Sequence, residues 1–493
     1  MWAFKITALF LVGYLISLGY APHHHSTVSW VGLTAAIFVF NRCASVPQAL
    51  LAGGVVGLGW YFPAMVWLYE GVNRSGDAAL AVLAPSLLIA GLIILPLALA
   101  LVAHWSRQLP VVAGLLLLPS TVFLIEWCKH TGPIPFPWLT LGYTQVPSGL
   151  AVDVLPWVGV MGLSWLLPFC SVLVLACCKL RDVRLAFWGV TALTAMMVVA
   201  HLHKFTEPEG KSLQVALVQG HAVVAGGAEP QKAMAIMEDY VDKVQSIQAQ
   251  LIVLPETSWP IFHHQIPPGV LPAIVAHLRV KGQDLVSGYL RRDVNPELGY
   301  YNVAHAMGVS GDQLYFKRKL VPFGEYIPFA GYLRGLYERV SKMNLLETSP
   351  GVAQQALPVV AGYRVAIRLC YEDLFSIWQQ NEFAYAHFIV AMANDDWFDS
   401  EVPLQQHLQV SQARAIEAGK QVLRVGNTGG TSMIDHDGTI TSALPYGKPG
   451  VLTVNVTPRE GSTPFSRFGL LAPLAMILLM SGVTLLLWSR HRK

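Results

Sequence analysis

Hydrophobic positions fall into two regimes along this chain. Up to about residue 205 and again after residue 463 they form long unbroken runs, at Phe4–Tyr20, Val28–Phe40, Val46–Tyr69, Ala78–Ala103, Val111–Cys128, Leu155–Cys178, Leu185–His201 and Leu470–Trp488. A helix that crosses a bilayer needs about 20 apolar residues. The pattern therefore predicts a multi-pass α-helical membrane domain of about seven transmembrane helices over 1–205, and a C-terminal transmembrane helix with a basic tail over 463–493. The second run is the shortest. The first also has the look of a signal peptide, with Lys5 before an apolar core, but Gly19-Tyr20-Ala21-Pro22 offers no small-x-small cleavage site.

Between these regions, over 206–462, the apolar positions become short and periodic. Leu213–Gln219, Leu251–Leu254, Asp284–Leu290, Tyr301–Val309, Gln313–Phe316, Tyr363–Leu369, Phe388–Met392, Val422–Val425, Thr431–Ile434 and Val451–Val456 read as strands. Pro230–Gln250 has apolar residues at helical spacing and a proline at its start, and Val270–Val280, Phe375–Ala386 and Leu404–Ala418 also read as helices. Strands alternating with helices predict an α/β domain whose sheets are covered by helices.

Composition agrees with this division. Hydrophobic residues make up 54% of the 493 and charged residues only 13%, against roughly 25% in an average soluble domain. A net charge of +3 is too small to argue for nucleic acid. The basic residues set an orientation. With the N-terminus inside, the inner loops hold Arg42, Arg107, Lys179, Arg181 and Arg184, and the tail adds Arg490, Arg492 and Lys493. The outer loops hold only Arg74 and Lys129, so the middle domain is expected on the outer, periplasmic-type face. His23-His24-His25 reads as a polar turn, since no cysteine or carboxylate lies near it. Pro133-Ile134-Pro135-Phe136-Pro137-Trp138-Leu139-Thr140-Leu141-Gly142-Tyr143 reads equally as an interfacial aromatic belt or as part of a lipid-facing pocket above the membrane.

The candidate chemistry lies at strand ends. Cys370 ends the Tyr363–Leu369 strand and is the only cysteine between Leu213 and Lys493, so it has no disulfide partner inside that domain. Glu256 follows the Leu251–Leu254 strand. Lys317 opens a basic stretch running into Leu320-Val321-Pro322-Phe323-Gly324-Glu325. An ordinary thiol is mostly protonated near neutrality and needs a base or a nearby cation to react. A carboxylate can take its proton, and a lysine can stabilise first the thiolate and then an oxyanion. Each residue also has a plain structural reading. Strand-end cysteines are commonly inert core, Glu256 could cap a following helix, and Lys317 could belong to a solvated basic cluster.

Leu254-Pro255-Glu256, the segment from Lys317 to Glu325, and Cys370-Tyr371-Glu372 occur in an order that resembles the Glu-Lys-Cys triad of the nitrilase (carbon-nitrogen hydrolase) superfamily. Joined to the membrane region, they resemble the apolipoprotein N-acyltransferase family in particular. So do Phe136-Pro137-Trp138-Leu139 before Leu141-Gly142-Tyr143, Asn394-Asp395 before Trp397-Phe398, Gln406-His407, and Asn455-Val456-Thr457-Pro458. The resemblance implies a nitrilase-like α-β-β-α sandwich in the bacterial inner membrane, its catalytic domain on the periplasmic face. The implied reaction moves an acyl chain from the sn-1 position of phosphatidylethanolamine, through a cysteine thioester, to the α-amino group of an S-diacylglyceryl-cysteine lipoprotein. It implies Cys370 as nucleophile, Glu256 as general base and Lys317 as oxyanion and thiolate stabiliser. Glu325, Tyr371, Glu372, Trp138, Asn394 and Trp397 would support them. It implies no metal or diffusible cofactor, a phospholipid donor, a diacylglyceryl apolipoprotein acceptor and a monomer.

The sequence departs from the family pattern at Gln219-Gly220-His221, where Gln-Gly-Asn and a later tryptophan are expected, and at Trp397-Phe398-Asp399, where glycine is expected last. The alternative reading of the same residues is a membrane-tethered amidase that uses water and a small amide.

Overall fold

The computed structural model describes residues 2–73, 78–149, 152–180, 183–222, 229–292, 299–340, 345–378, 380–396, 398 and 400–491. The chain divides into two compact units, one made of Met1–Asn73, Ala78–Lys204 and Phe468–Lys493, the other containing Phe205–Arg467.

The first unit is built of apolar helices at Trp2–Ser17, Ser26–Asn41, Val46–Met65, Trp67–Asn73, Ala78–Leu92, Ile94–Ser106, Val111–Thr131, Leu155–Leu180, Val183–Leu202 and Leu471–His491. Among the described residues, Ala79–Ser106, Val111–Thr131 and Val152–Lys179 are long and apolar enough to cross a membrane. The pair Val46–Met65 and Trp67–Asn73, bent by 54°, makes a fourth span if counted as one. Phe4–Ser17, Ser26–Asn41 and Leu471–Leu486 are shorter apolar helices. Small residues let two of these helices meet backbone to backbone. A Cβ at Gly13 would lie 2.0 Å from the Val56 carbonyl oxygen, and one at Gly59 would lie 2.0 Å from that of Phe10.

The proline-rich segment starts exposed at Pro133 and Ile134 and turns inward from Pro137. Leu141–Gln145 forms a buried 3-10 turn whose first amide donates to the buried Glu126 carboxylate at 2.9 Å. Lys129 pairs with the other Glu126 oxygen at 2.8 Å. Trp138 is buried, its ring 5.5 Å from Trp67 and 6.2 Å from Phe136.

The second unit contains strands β1 (Thr206–Pro208), β2 (Leu213–Gln219), β3 (Leu251–Val253), β4 (Asp284–Arg292), β5 (Tyr300–Gly308), β6 (Gly311–Phe316), β7 (Val359–Val360), β8 (Tyr363–Leu369), β9 (Phe388–Ala393), β10 (Val422–Gly426), β11 (Ser432–Ile434), β12 (Ile440–Ala443), β13 (Gly450–Val456) and β14 (Arg459–Gly461). β1 and β14 pair with each other; the rest form two six-stranded sheets, ordered β13-β2-β3-β4-β5-β6 and β12-β11-β10-β9-β8-β7. At the centre of each sheet three strands run parallel, β2-β3-β4 and β8-β9-β10. Parallel neighbours need crossovers. Helices Pro230–Ser246, Val270–Lys281, Gln380–Tyr385 and Glu401–Ala418 lie in them.

Burial shows a four-layer sandwich. Val215, Leu217, Val253 and Val286 from one sheet meet Val365, Ile367, Val390 and Val425 from the other in a shared core. Met237, Tyr240 and Ile274 pack helices on the outer face of the first sheet; Phe383, Ala415 and Ala418 do so on the second. Central strands are therefore buried on both faces, which is why β3 and β9 are uninterrupted apolar runs.

The predicted helix over Phe375–Ala386 is shorter, at Gln380–Tyr385, and is preceded by a 3-10 turn over Cys370–Leu374. The Glu372 and Asp373 carboxylates turn inward to accept bonds from Leu369 N and Ser411 Oγ, which tightens the chain there. The Phe262–Pro268 segment, unassigned from sequence, packs on the first sheet: Phe262 lies 4.5 Å from the Tyr300 ring and His263 5.2 Å from that of Tyr289.

Candidate active site

Sheet register brings several polar residues to one edge of the sandwich. Leu369 pairs with Met392, and Ala393 with Gly426, so Cys370, Asn394 and Asn427 all follow directly at the ends of parallel strands. On the other sheet Glu256 lies three residues beyond β3, and Lys317 follows β6. Val303 pairs with Phe316, so Lys317 falls beside Asn302, and its amide donates to the Asn302 carbonyl at 2.9 Å. Ligand crevices of α/β sheets lie at such strand ends.

Cys370 has φ 49°, left-handed backbone that a non-glycine residue adopts rarely. Two contacts hold it there. Leu369 N donates to Glu372 Oε2 at 3.0 Å, closing the turn that follows. His407 Nε2, on the Glu401–Ala418 helix, lies 3.1 Å from the Cys370 carbonyl oxygen. The thiol is half-buried.

Lys317 is buried between two carboxylates. Its Nζ lies 3.0 Å from Glu256 Oε1 and 2.9 Å from Glu325 Oε1. Asn302 Nδ2 donates to the same two oxygens at 2.7 and 3.3 Å. The second oxygen of Glu256 accepts from the Asn394 amide at 3.1 Å, and that of Glu325 from the Val321 amide at 2.8 Å. Burial opposes the Lys317 ammonium, but the Glu256 and Glu325 carboxylates outweigh it and hold its pKa well above the ordinary value. Burial raises the pKa of Glu256, and Lys317 offsets this only in part. The Cys370 thiol is pushed up by burial, then by the Glu256 and Asp395 carboxylates, with Lys317 pulling the other way. At rest the cysteine is therefore a neutral thiol. A neutral thiol needs a base in order to react as a nucleophile.

The other expected residues take distinct places. Glu372 is fully buried and accepts from Arg318 N (2.7 Å), Tyr315 OH (2.9 Å), Leu369 N (3.0 Å) and Lys319 N (3.3 Å). It ties the stretch after Lys317 to the turn that carries Cys370. Tyr371 is buried edge-on against Phe375 at 5.2 Å. Asn394 Nδ2 donates to Thr257 Oγ1 at 2.8 Å, and its side-chain oxygen accepts from Asn427 at 3.1 Å. Trp138 belongs to the other unit. Trp397 and Asp399 lie outside the described residues.

Four residues beyond those expected complete the cluster. Asn302 is one. Asp395 Oδ1 lies 3.9 Å from Cys370 Sγ and 3.4 Å from His407 Nδ1, while its Oδ2 accepts from Arg424 at 3.1 Å. Arg424 is a polar residue inside the otherwise apolar β10, and Asn302 shares the largely apolar β5 with His305; a polar residue out of place is the one signal in the sequence that marks them. Sγ of Cys370, Oδ1 of Asp395 and a ring nitrogen of His407 lie within 4.8 Å of one another, a donor set that suits a zinc-class ion. The Arg424 guanidinium on Asp395 is a cation already competing for that carboxylate.

Residues 12–173 match the family described as apolipoprotein N-acyltransferase N-terminal domain, and residues 214–464 match the carbon-nitrogen hydrolase family. The apolipoprotein N-acyltransferase of Nitrosomonas europaea is 33% identical, over 99% of both chains. That of Methylococcus capsulatus is 30% identical over 98% of this chain and 95% of its own, and that of Pseudomonas syringae pv. tomato 33% over 98% and 97%.

Proposed function

The chain belongs to the apolipoprotein N-acyltransferase family, and from that premise we propose that it transfers an acyl chain from a phospholipid, at sn-1 of phosphatidylethanolamine, to the α-amino group of the S-diacylglyceryl-cysteine of a lipoprotein. It is an acyltransferase with a carbon-nitrogen hydrolase domain and membrane helices. In this reading the catalytic domain spans 206–462 on the periplasmic face of the bacterial inner membrane. Seven helices over 1–205 and one over 463–493 anchor it, and the protein works as a monomer.

In the first half-reaction Glu256 takes the proton of Cys370 as Sγ attacks the ester carbonyl. The developing oxyanion is met by Lys317 and the amide after the cysteine. Collapse of the intermediate breaks the ester C–O bond, the proton passes from Glu256 to the leaving lysophospholipid oxygen, and the thioester remains. In the second half-reaction the lipoprotein amine attacks the thioester, Glu256 accepts its proton, and the thiol leaves with that proton restored. Glu325 keeps the Lys317 ammonium charged and in place. Glu372 and Asn394 position the segments that carry Lys317 and Glu256, and Tyr371 shapes the acyl pocket.

One observation favours a lipid donor over a small amide. The stretch that follows Lys317 exposes Phe323, Phe329, Tyr332 and Leu336, by 40%, 54%, 90% and 59% respectively. Several exposed apolar residues along one stretch suit a surface that meets lipid or another apolar partner. The test is a detergent-solubilised assay with a synthetic S-diacylglyceryl-cysteine peptide, with and without phosphatidylethanolamine. N-acyl peptide formed only with phospholipid is the expected result. Hydrolysis of small amides without phospholipid, and no N-acylation with it, would mean an amidase instead.

A further inference from the structure

Thr257 follows Glu256 directly and has φ 48°. Left-handed backbone is an outlier for a β-branched residue, whose Cβ is then crowded against the main chain. A residue stays in it only where its surroundings impose it, and such positions cluster at functional sites. Around Thr257 those surroundings come from two strands. Gly288 of β4 lies flat against this backbone: a Cβ there would be 2.6 Å from Thr257 N and 3.0 Å from Glu256 Cα. From the end of β9, Asn394 Nδ2 donates to Thr257 Oγ1 at 2.8 Å, and Asn394 N donates to Glu256 Oε2 at 3.1 Å. One residue thus holds both Glu256 and its neighbour.

The Asn394 side chain is itself oriented. An asparagine amide fits its site in either of two directions, and Asn427 selects one. Asn427 Nδ2 donates to Asn394 Oδ1 at 3.1 Å, which turns Asn394 Nδ2 to the threonine. Asn427 is 3% exposed and is fixed in turn by the chain after β2, with Oδ1 accepting from Ala222 N at 3.0 Å and Nδ2 donating to Ala222 O at 2.7 Å.

We propose that Thr257 is a positioning residue whose hydroxyl, held by the oriented Asn394 amide, keeps the left-handed backbone that aims the Glu256 carboxylate. The proposal rests on Glu256 being the base of the acyl transfer proposed above. That carboxylate is held at both oxygens, Oε1 by Lys317 at 3.0 Å and Asn302 at 2.7 Å, Oε2 by the Asn394 amide. Relaxation of residue 257 to ordinary backbone turns the peptide between 256 and 257 and shifts the carboxylate among those partners. A misplacement of about 1 Å in a reacting group costs on the order of 10²-fold in rate.

The experiment follows thioester formation on Cys370 of the full-length protein in detergent, in a single turnover, across a range of concentrations of phosphatidylethanolamine labelled in its sn-1 chain. Thr257→Val keeps the shape and removes the hydroxyl. It should lower the saturating rate by about 10–100-fold and leave the half-saturating concentration within about twofold of wild type. Thr257→Ser, which keeps the hydroxyl, should react within about threefold of wild type. Asn394→Ala breaks the same bond from the other side and retains the amide that meets Glu256. Its loss should match that of Thr257→Val, and the double variant should be slower than either by no more than about twofold. Losses that multiply in the double variant mean that the two residues act separately. A raised half-saturating concentration at an unchanged saturating rate means that the hydroxyl touches substrate instead. A wild-type rate in Thr257→Val means that Gly288 imposes the bend alone. Each of these overturns the proposal. If Thr257→Val does not fold, a slow Asn394→Ala beside a wild-type Thr257→Ser supports it, and any other result for that pair overturns it. Glu256→Gln separates this proposal from the reading beneath it. A wild-type rate there removes the base assignment itself, whereas a slow Glu256→Gln beside a wild-type Thr257→Val removes only the role of Thr257.

Discussion

Glu372→Gln should unseat the active site without touching a reacting atom. The Glu372 carboxylate accepts from four donors: Arg318 N and Lys319 N at Oε1, Tyr315 OH and Leu369 N at Oε2. A glutamine has one acceptor oxygen, so in either amide orientation its NH2 meets two donors. The tyrosine hydroxyl can turn to accept, but a backbone N–H cannot. Each buried donor left without an acceptor costs about 1–3 kcal/mol. One or two of them, with the loss of a charged acceptor, give a destabilisation of about 2–6 kcal/mol, comparable with the whole stability of many domains. For a domain of this size that is roughly 2–4 °C of melting temperature per kcal/mol. Thermal unfolding in detergent should therefore fall by about 5 °C or more, and the rate of acyl-adduct formation at Cys370 should fall with it, because the same bonds join the Lys317 stretch to the Cys370 turn. A Glu372→Gln protein with wild-type melting and a wild-type acylation rate would refute this reasoning.

Further expectations follow from the same geometry. Glu256→Gln keeps an acceptor for Lys317 and Asn302 but cannot take a proton, so stopped-time measurement of thioester formation should show a loss of about 10²–10⁴-fold, with melting also lowered because the Asn394 amide then faces an NH2. Lys317→Met should slow thioester formation at least about 10²-fold, measured in the same way, since it removes the cation among Glu256, Glu325 and the oxyanion. Burial raises Glu256 and its two neighbouring carboxylates raise Lys317. The rate of adduct formation should therefore climb with pH through a limb above the ordinary carboxylate value of 4.5 and show no alkaline fall from Lys317 below 10.5. Lys420 is buried, donates to the Arg459 carbonyl and has its pKa brought down to about 8 from 10.5. The unfolded chain holds that proton to higher pH than the folded one. The contribution of Lys420, read as the wild-type minus Lys420→Met difference in unfolding free energy, should thus be flat below pH 8 and rise between 8 and 10.5, by at most about 3 kcal/mol. Urea titrations of both proteins measure that difference.

Much of the second unit can be read from the chain because its strands are local events. β2 and β8 begin and end at the residues where the apolar pattern does, and apolar strands alternating with helices point to sheets covered by helices, while the αββα layering is what the family resemblance implies. The order Glu256, Lys317, Cys370 is visible too, as is the likeness of the Lys317–Glu325 stretch to its family. What assembles the site is not local. Lys317 meets Glu256 across 61 residues, Asn302 meets Glu256 across 46, and Arg424 meets Asp395 across 29. Those pairings are set by sheet register, which no single segment encodes. The left-handed Cys370 backbone is equally hidden, since it depends on Glu372 and on His407 from a distant helix. The helix expected over Phe375–Ala386 is shorter for a related reason: Phe375 is buried just after the 3-10 turn over Cys370–Leu374, and regular helix begins at Gln380.

The central claim is that Cys370 carries the acyl chain between donor and acceptor. Purified protein mixed with phosphatidylethanolamine labelled in its sn-1 chain, then digested and analysed by mass, tests it directly. The account predicts a hydroxylamine-labile acyl group on the Cys370 peptide, absent in Cys370→Ser and discharged by an S-diacylglyceryl-cysteine peptide. A folded protein with an alkylatable Cys370 and no such adduct would contradict it.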